Sequence, residues 1–394
     1  MAITFLACAI LAQLPGEPML RADDVQHVKV YYEKGRFGGW PANHGMWIWD
    51  NEIVVGYSRG YYEDLGPNRH HINREKPEEH WLARSADGGV TWKQEQPSKQ
   101  GSLIPRGKAL HGTEAAGQKI PDLMELKEPI DFTNPNFAWT LRMENIDSGA
   151  SRFEYSYDRG KTWKGPYKLP NFDAPGTAAR TDYIVEGKNE ATVFLTVAKS
   201  DKKEGRVICV RTMDGGITWK KLGDVGPEPP IYKDTPSYSI MPSSVRISGN
   251  ELYTTLRERE GNFTWISAWR SGDNGKTWAR EAIPVDDLGE GNPPMLNKLK
   301  DGRLCLTYGF RGFPYSIRAR LSTDKGKTWG PQIVLRDDGT DRDIGYVRSV
   351  QRPDGKVVTT YYIDEESTGP ERYIGATIWD PNKVSSITSG SLEK

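Results

Sequence analysis

The sequence predicts an all-β fold, a six-bladed β-propeller of four-stranded antiparallel blades. Three observations carry that expectation: an eight-residue box that occurs five times, strand-length runs ahead of the boxes, and a composition full of turn-forming and flat side chains. The boxes share the form Ser/Thr-x-Asp-x-Gly-x-Thr-Trp and span Ser85 to Trp92, Ser156 to Trp163, Thr212 to Trp219, Ser271 to Trp278 and Ser322 to Trp329. Their starts lie 71, 56, 59 and 51 residues apart, a period that marks a repeat architecture. Within a box, the Asp carboxylate accepts backbone N–H bonds across a tight turn, Gly supplies a positive φ and Trp packs beneath. Each box is therefore a hairpin clasp.

The runs before the clasps are rich in β-branched and aromatic residues: Trp81 to Ser85, Val207 to Thr212, Ile266 to Ser271 and Ile317 to Ser322. Two further runs precede them in the clearer units, Ser243 to Ile247 with Glu251 to Leu256, and Met295 to Lys300 with Arg303 to Tyr308. The latter pair meets at Asp301-Gly302, a strong two-residue hairpin signal. One more strand after each clasp makes a four-stranded blade. A sixth unit has no clasp: Tyr346 to Gln351, a turn at Pro353-Asp354-Gly355, Val357 to Ile363, then Tyr373 to Trp379. The run His27 to Glu33 is placed to complete that unit and close the ring.

Composition narrows the function. In 394 residues, 53 basic side chains balance 53 acidic ones, so the basic excess of a polyanion binder is missing and no nucleic-acid partner is expected. A mean hydropathy of −0.67 excludes a multi-span membrane protein, and 10% aromatic residues argue for a packed core. Met1 to Leu14 is apolar and too short to span a bilayer, which fits a secretory leader although no Lys or Arg precedes it. The expected organisation is a leader over 1–22 with its exit at Ala22, a propeller over 23–385 and a flexible tail over 386–394. The mature chain is then secreted or periplasmic. Cys209 and Cys305 sit in apolar strand-like runs and read as buried free thiols.

The boxes resemble the Asp boxes of the sialidase (neuraminidase) superfamily, whose members are six-bladed propellers. The resemblance covers about residues 27 to 380. It implies that the boxes are structural and lie on the face opposite the active site, and that the partner is a glycan or glycoconjugate. It also implies three groups at the mouth: arginines that grip a substrate carboxylate, a tyrosine nucleophile paired with an acidic residue, and a separate acid/base. Arginine suits its role because its planar fork matches a carboxylate and keeps its charge.

Carried onto this chain, the resemblance makes Tyr346, in Asp343-Ile344-Gly345-Tyr346, the nucleophile. A phenol needs a carboxylate to take its proton, supplied locally by Asp343 or across the ring by Glu258. The expected substrate ligands are Arg257, Arg311, Arg318, Arg59, and Arg180 beside Asp182. Glu79, in matching alternation to Ser85, is the expected acid/base, with Asp64 in reserve. One departure stands out. Where the family begins blade one with Arg-Ile-Pro, this chain has Gly39-Trp40-Pro41, so the first arginine is missing at its expected place and Arg36 and Arg180 are the candidates to substitute for it.

His44, His70, His71 and His80 crowd the same blade without any zinc-motif spacing, so no metal and no cofactor are expected. His44 or His71 is instead placed to hydrogen-bond a sugar hydroxyl or act as a base. The reading is an exo-acting, retaining glycoside hydrolase for a terminal acidic sugar. Its rivals are a lyase or other glycosidase that uses histidine for proton transfer, and a non-catalytic glycan-binding propeller.

Overall fold

The strands of the clearer units lengthen into full blades, and six antiparallel sheets stand around one axis. The computed structural model describes residues 19–67, 69–107 and 110–387. Blade 4 is the plainest: Ser237–Ser248 inside, then Glu251–Glu260, Phe263–Ser271 and the short Ala279–Arg280 outside. Blade 6 runs Gly345–Gln351, Val357–Glu365 and Gly369–Trp379, and its outer place is filled by Gln26–Tyr31, as the sequence predicts. Ring closure therefore joins the two ends of the chain. It is reinforced in blade 5, where Met19–Ala22 adds parallel to Gln332–Arg336 and Val384–Ser386 adds antiparallel to it.

Blades pack face to face, so alternation along one strand feeds two cores. In the second strand of blade 3, Glu190–Ala198, the side chains of Val193, Leu195 and Val197 join Trp139 and Phe153 of blade 2. Phe194, between them, joins Leu252 and Leu256 of blade 4. Cys209 and Cys305 are buried and free, as expected.

The clasps behave alike. In all five, the first hydroxyl donates to the Asp, and the Thr backbone N–H and hydroxyl donate to its two oxygens. The box glycine has φ between 76° and 93° throughout. Indole N–H groups close four clasps on that glycine's carbonyl. In the fifth, the Tyr253 hydroxyl takes the Gly326 carbonyl instead.

Two features depart from a uniform four-stranded ring. Blade 2 has three strands, Ala138–Met143, Ser151–Ser156 and Lys164–Leu169, and no inner one. The stretch before it carries Pro97, Pro105, Pro121, Pro129 and Pro135, which cannot donate to a ladder. The vacated hub position is filled by the Pro41–Asn43 turn that splits the inner strand of blade 1, with the Thr140 hydroxyl donating to the His44 carbonyl.

The second departure is that inner strands kink at one level. Trp40, Met241 and Tyr346 are non-glycine residues with φ of 55°, 53° and 48°, and register shifts accompany the last two. Such bulges re-aim side chains and cluster at functional rims.

Most of the expected leader lies outside the described residues, as does the tail from 388 onward. Its last four residues, Met19–Ala22, form the blade 5 strand just described, with Arg21 paired to Asp337. Among the described residues no helix is long and apolar enough to cross a membrane.

Candidate active site

Third strands run from one end of the hub to a clasp at the other, so the clasp-free end is the mouth. Four blades turn their kinks or strand heads toward it. The Tyr346 bulge is held by Asn292, which accepts from the Tyr346 N–H at 2.8 Å and donates to the Ile344 carbonyl at 3.0 Å. Gly345 must be glycine there: φ is 104°, and a Cβ would lie 2.3 Å from the Asn292 Oδ1. The ring then stands half-buried against Ala42, Ile240 and Met241.

The phenol oxygen accepts a hydrogen bond from Arg257 Nη1 at 3.2 Å. The Arg311 guanidinium carbon lies 5.6 Å from the same ring. Arg180 completes the arginine group through a shared anion: it pairs with Glu204 at 2.7 Å, and Glu204 also acts electrostatically on Arg257. Its Nε donates to Asn43 in the blade 1 turn. Three of the five expected arginines thus gather at the mouth.

Asp343 is not the phenol's partner. Its carboxylate, 1% exposed, accepts from His70 Nδ1 at 2.6 Å and from the Tyr362 hydroxyl, with Arg311 at 3.6 Å. Burial works to raise its pKa, but His70, Arg311 and Arg372 outweigh it and hold the group well below the ordinary carboxylate range. The ionised carboxylate fixes the His70 proton on Nδ1, and Nε2 has no hydrogen-bond partner among the described residues. Burial dominates over Asp343 at the imidazole and lowers its pKa, so His70 is neutral at pH 7.

The His70 ring meets Tyr346 edge-on at 6.5 Å and Trp40 at 5.1 Å. Trp40 in turn stacks on His111 at 4.1 Å, and His111 Nδ1 lies 3.6 Å from the buried Glu78. Two imidazoles therefore flank one indole, His70 hydrogen-bonded to a carboxylate and His111 held by its backbone N–H on Glu78. Sequence reasoning passed over His70 and His111 because the carboxylates that orient them are distant or one position off; Asp343 is 273 residues from His70.

Several expected residues lie elsewhere. Glu79 points away from the mouth, locked by Arg59 at 3.1 Å, Trp81 at 3.1 Å and Gln96 at 2.6 Å. Strand alternation sends its neighbour Glu78 inward instead. Arg59 belongs to that same outer cluster, bound also to Tyr31 and Glu33. Arg318 lies over Phe310 at 3.6 Å and donates to Ser316 and Gln332 within blade 5.

Glu258 follows Arg257 and so faces the other side of its strand, where Ser239 and Ser267 donate to it. His44 is fully buried between Ser58 and Arg142, and burial with that arginine holds its pKa well below the usual imidazole value. His71 is buried as well; its backbone N–H reaches Asp343 at 3.4 Å. Asp64 is exposed and lies 3.4 Å from His71. Asp182 lines an axial channel of about 430 Å³ with Arg348, accepts from Ser244 and has its pKa raised by burial to about 7. Among the described residues no cluster fits a metal ion.

Similarity searches agree with this architecture. A structure from Dyadobacter fermentans described as an unknown-function protein superposes with a TM-score of 0.65 at 20% identity, covering 95% of this chain and all of its own. Trypanosoma rangeli sialidase with 2,3-difluorosialic acid, titled a covalent intermediate, gives 0.58 at 14% identity; it is matched by 91% of this chain over 59% of its own length. An α-L-arabinofuranosidase from Fusarium graminearum in complex with an iminosugar inhibitor gives 0.54 at 11% identity over 90% and 99%. These likenesses show the fold. No curated protein matches the chain. The BNR repeat-like domain model matches residues 133–359, more than half of the sequence. The chain therefore belongs to the BNR repeat-like domain family.

Proposed function

We propose that the mouth is the active site of an exo-acting glycoside hydrolase that removes a terminal acidic sugar, a sialic acid or a relative, by a retaining mechanism. The observation that carries this reading is the Tyr346 phenol, hydrogen-bonded by Arg257 and flanked by Arg311. Arg257, Arg311 and Arg180 hold the sugar carboxylate by bidentate, charge-assisted bonds. Tyr346 attacks the anomeric carbon and loses its proton to His70 Nε2, while Arg257 stabilises the phenolate as it forms. His111, backed by Glu78, gives its proton to the leaving oxygen and then takes one from water, which frees the sugar from Tyr346.

The His70–Asp343 pair favours a second reading on the same site. With a uronic-acid polymer, His70 would remove the proton beside a carboxylate neutralised by the arginines and Tyr346 would protonate the leaving oxygen, a β-elimination. The two readings part on product. Hydrolysis predicts release of free acidic sugar from an aryl glycoside by wild type and almost none by folded Tyr346→Phe. Unchanged turnover in that variant rejects the nucleophile. An ultraviolet-absorbing unsaturated product from polyuronate, with no sugar released from the aryl glycoside, selects the lyase.

A further inference from the structure

We propose that the cleft between blades 3 and 4, built on Glu258, Trp265 and Trp269, is a second carbohydrate subsite that takes one pyranose unit following the terminal sugar of a glycan chain. The proposal deepens the hydrolase reading and rests on it for which sugar fills the mouth. Strand alternation is its origin. Arg257 turns to the mouth, so Glu258 turns to the opposite face of the blade, where it stands in register with Ser239 on one side and Trp265 on the other. Ser267 and Trp269 continue that face down the third strand. The far wall is the loop of Pro227, Pro229 and Pro230, whose fixed φ angles hold the cleft open at about 180 Å³.

The cleft adjoins the mouth through Tyr238. A neighbouring groove of about 420 Å³ shares Ser237 and Tyr238 with it, and the Tyr238 ring lies 5.5 Å from the Arg257 guanidinium carbon. Tyr346, Arg257, Tyr238 and Glu258 thus form one path from the hub outward.

Its chemistry is that of sugar recognition. Glu258 is 7% exposed and lines the cleft, and one of its oxygens accepts from Ser239 at 2.7 Å and Ser267 at 2.5 Å. A buried polar atom that lacks a partner is costly unless something polar occupies the cleft. The Trp265 N–H is buried and unpartnered. Indole faces beside a carboxyl, two serines and Arg280 suit a ligand with apolar C–H faces and hydroxyl edges. Pockets for whole drug-sized ligands run about 300–1,000 Å³, so this smaller one fits a single ring of a longer chain. Burial raises the Glu258 pKa, which lets the group donate as well as accept.

The test uses the full-length Tyr346→Phe protein, so that ligand persists. Its affinity is measured for free N-acetylneuraminic acid and for 3′-sialyllactose, and it is read on a glycan array. The expected result is about tenfold tighter binding of the trisaccharide. Trp265→Ala and Glu258→Gln should bring that ratio close to one, with the Trp265→Ala affinity for the monosaccharide unchanged, and Trp265→Phe should restore part of the ratio. A ratio that survives both substitutions overturns the subsite. If the monosaccharide fails to bind while array signals remain Trp265-dependent, the subsite stands and the acidic-sugar mouth falls. No Trp265-dependent signal on any glycan overturns the subsite.

Discussion

His70 shows how one side chain acquires a task from distant chain. Asp343 fixes its tautomer, burial keeps it neutral, and its ring stands edge-on to Tyr346. Its folded pKa lies below the ordinary 6.5, so the basic form predominates above that value and is lost as pH falls through the lowered pKa. The acid limb of the kcat/KM profile should therefore have its midpoint below pH 6.5, and His70→Asn should cut kcat about 10²–10⁴-fold. A profile that is still climbing above pH 7.5, or a variant with full turnover, would count against the role. Tyr346, Arg257 and Arg311 were expected near one another because each lies toward or just past the mouth end of its strand in the repeat. Glu79 and Glu258 were misread for one reason, the period of two: adjacent residues face opposite ways, so Arg257 and Glu258 cannot share the mouth, and of Glu78 and Glu79 only one can enter it.

At the level of elements, the clasps were the most readable feature because every bond they make is local. The glycine at the fifth position does two jobs, shown by Gly275: φ is 93°, and a Cβ would lie 2.7 Å from the buried Cys209 sulfur. Gly275→Ala should lose about 1–3 kcal/mol in chemical denaturation from backbone strain, with the clash added. Gly272→Ala, with open space and an ordinary φ, should be nearly neutral. Equal stabilities for the two would refute the packing role of the clasp. The kinks at Trp40, Met241 and Tyr346 fall on non-glycine residues, and the only local signals are the adjoining Pro41, Pro242 and Gly345, which do not by themselves specify a positive φ at the neighbour. The lost inner strand of blade 2 was readable only in hindsight, from prolines spread over a long interval.

For the whole molecule, the ring depends on its first residues. Gln26–Tyr31 covers the edge of Gly369–Trp379, and Met19–Ala22 bridges Gln332–Arg336 and Val384–Ser386. Deleting residues 1–33 should leave an open edge and abolish the folded monomer, judged by size-exclusion chromatography and near-ultraviolet circular dichroism. A cooperative melt like that of the intact chain would show that closure is dispensable. Closure also places groups from blades 1, 3, 4, 5 and 6 around one phenol, and the proposed chemistry depends on that convergence. The most direct test is to incubate the protein with 2,3-difluorosialic acid, digest it and map the adduct by mass spectrometry. The account predicts a glycosyl group on Tyr346, absent from Tyr346→Phe; an adduct on another residue, or none with active enzyme, would contradict it.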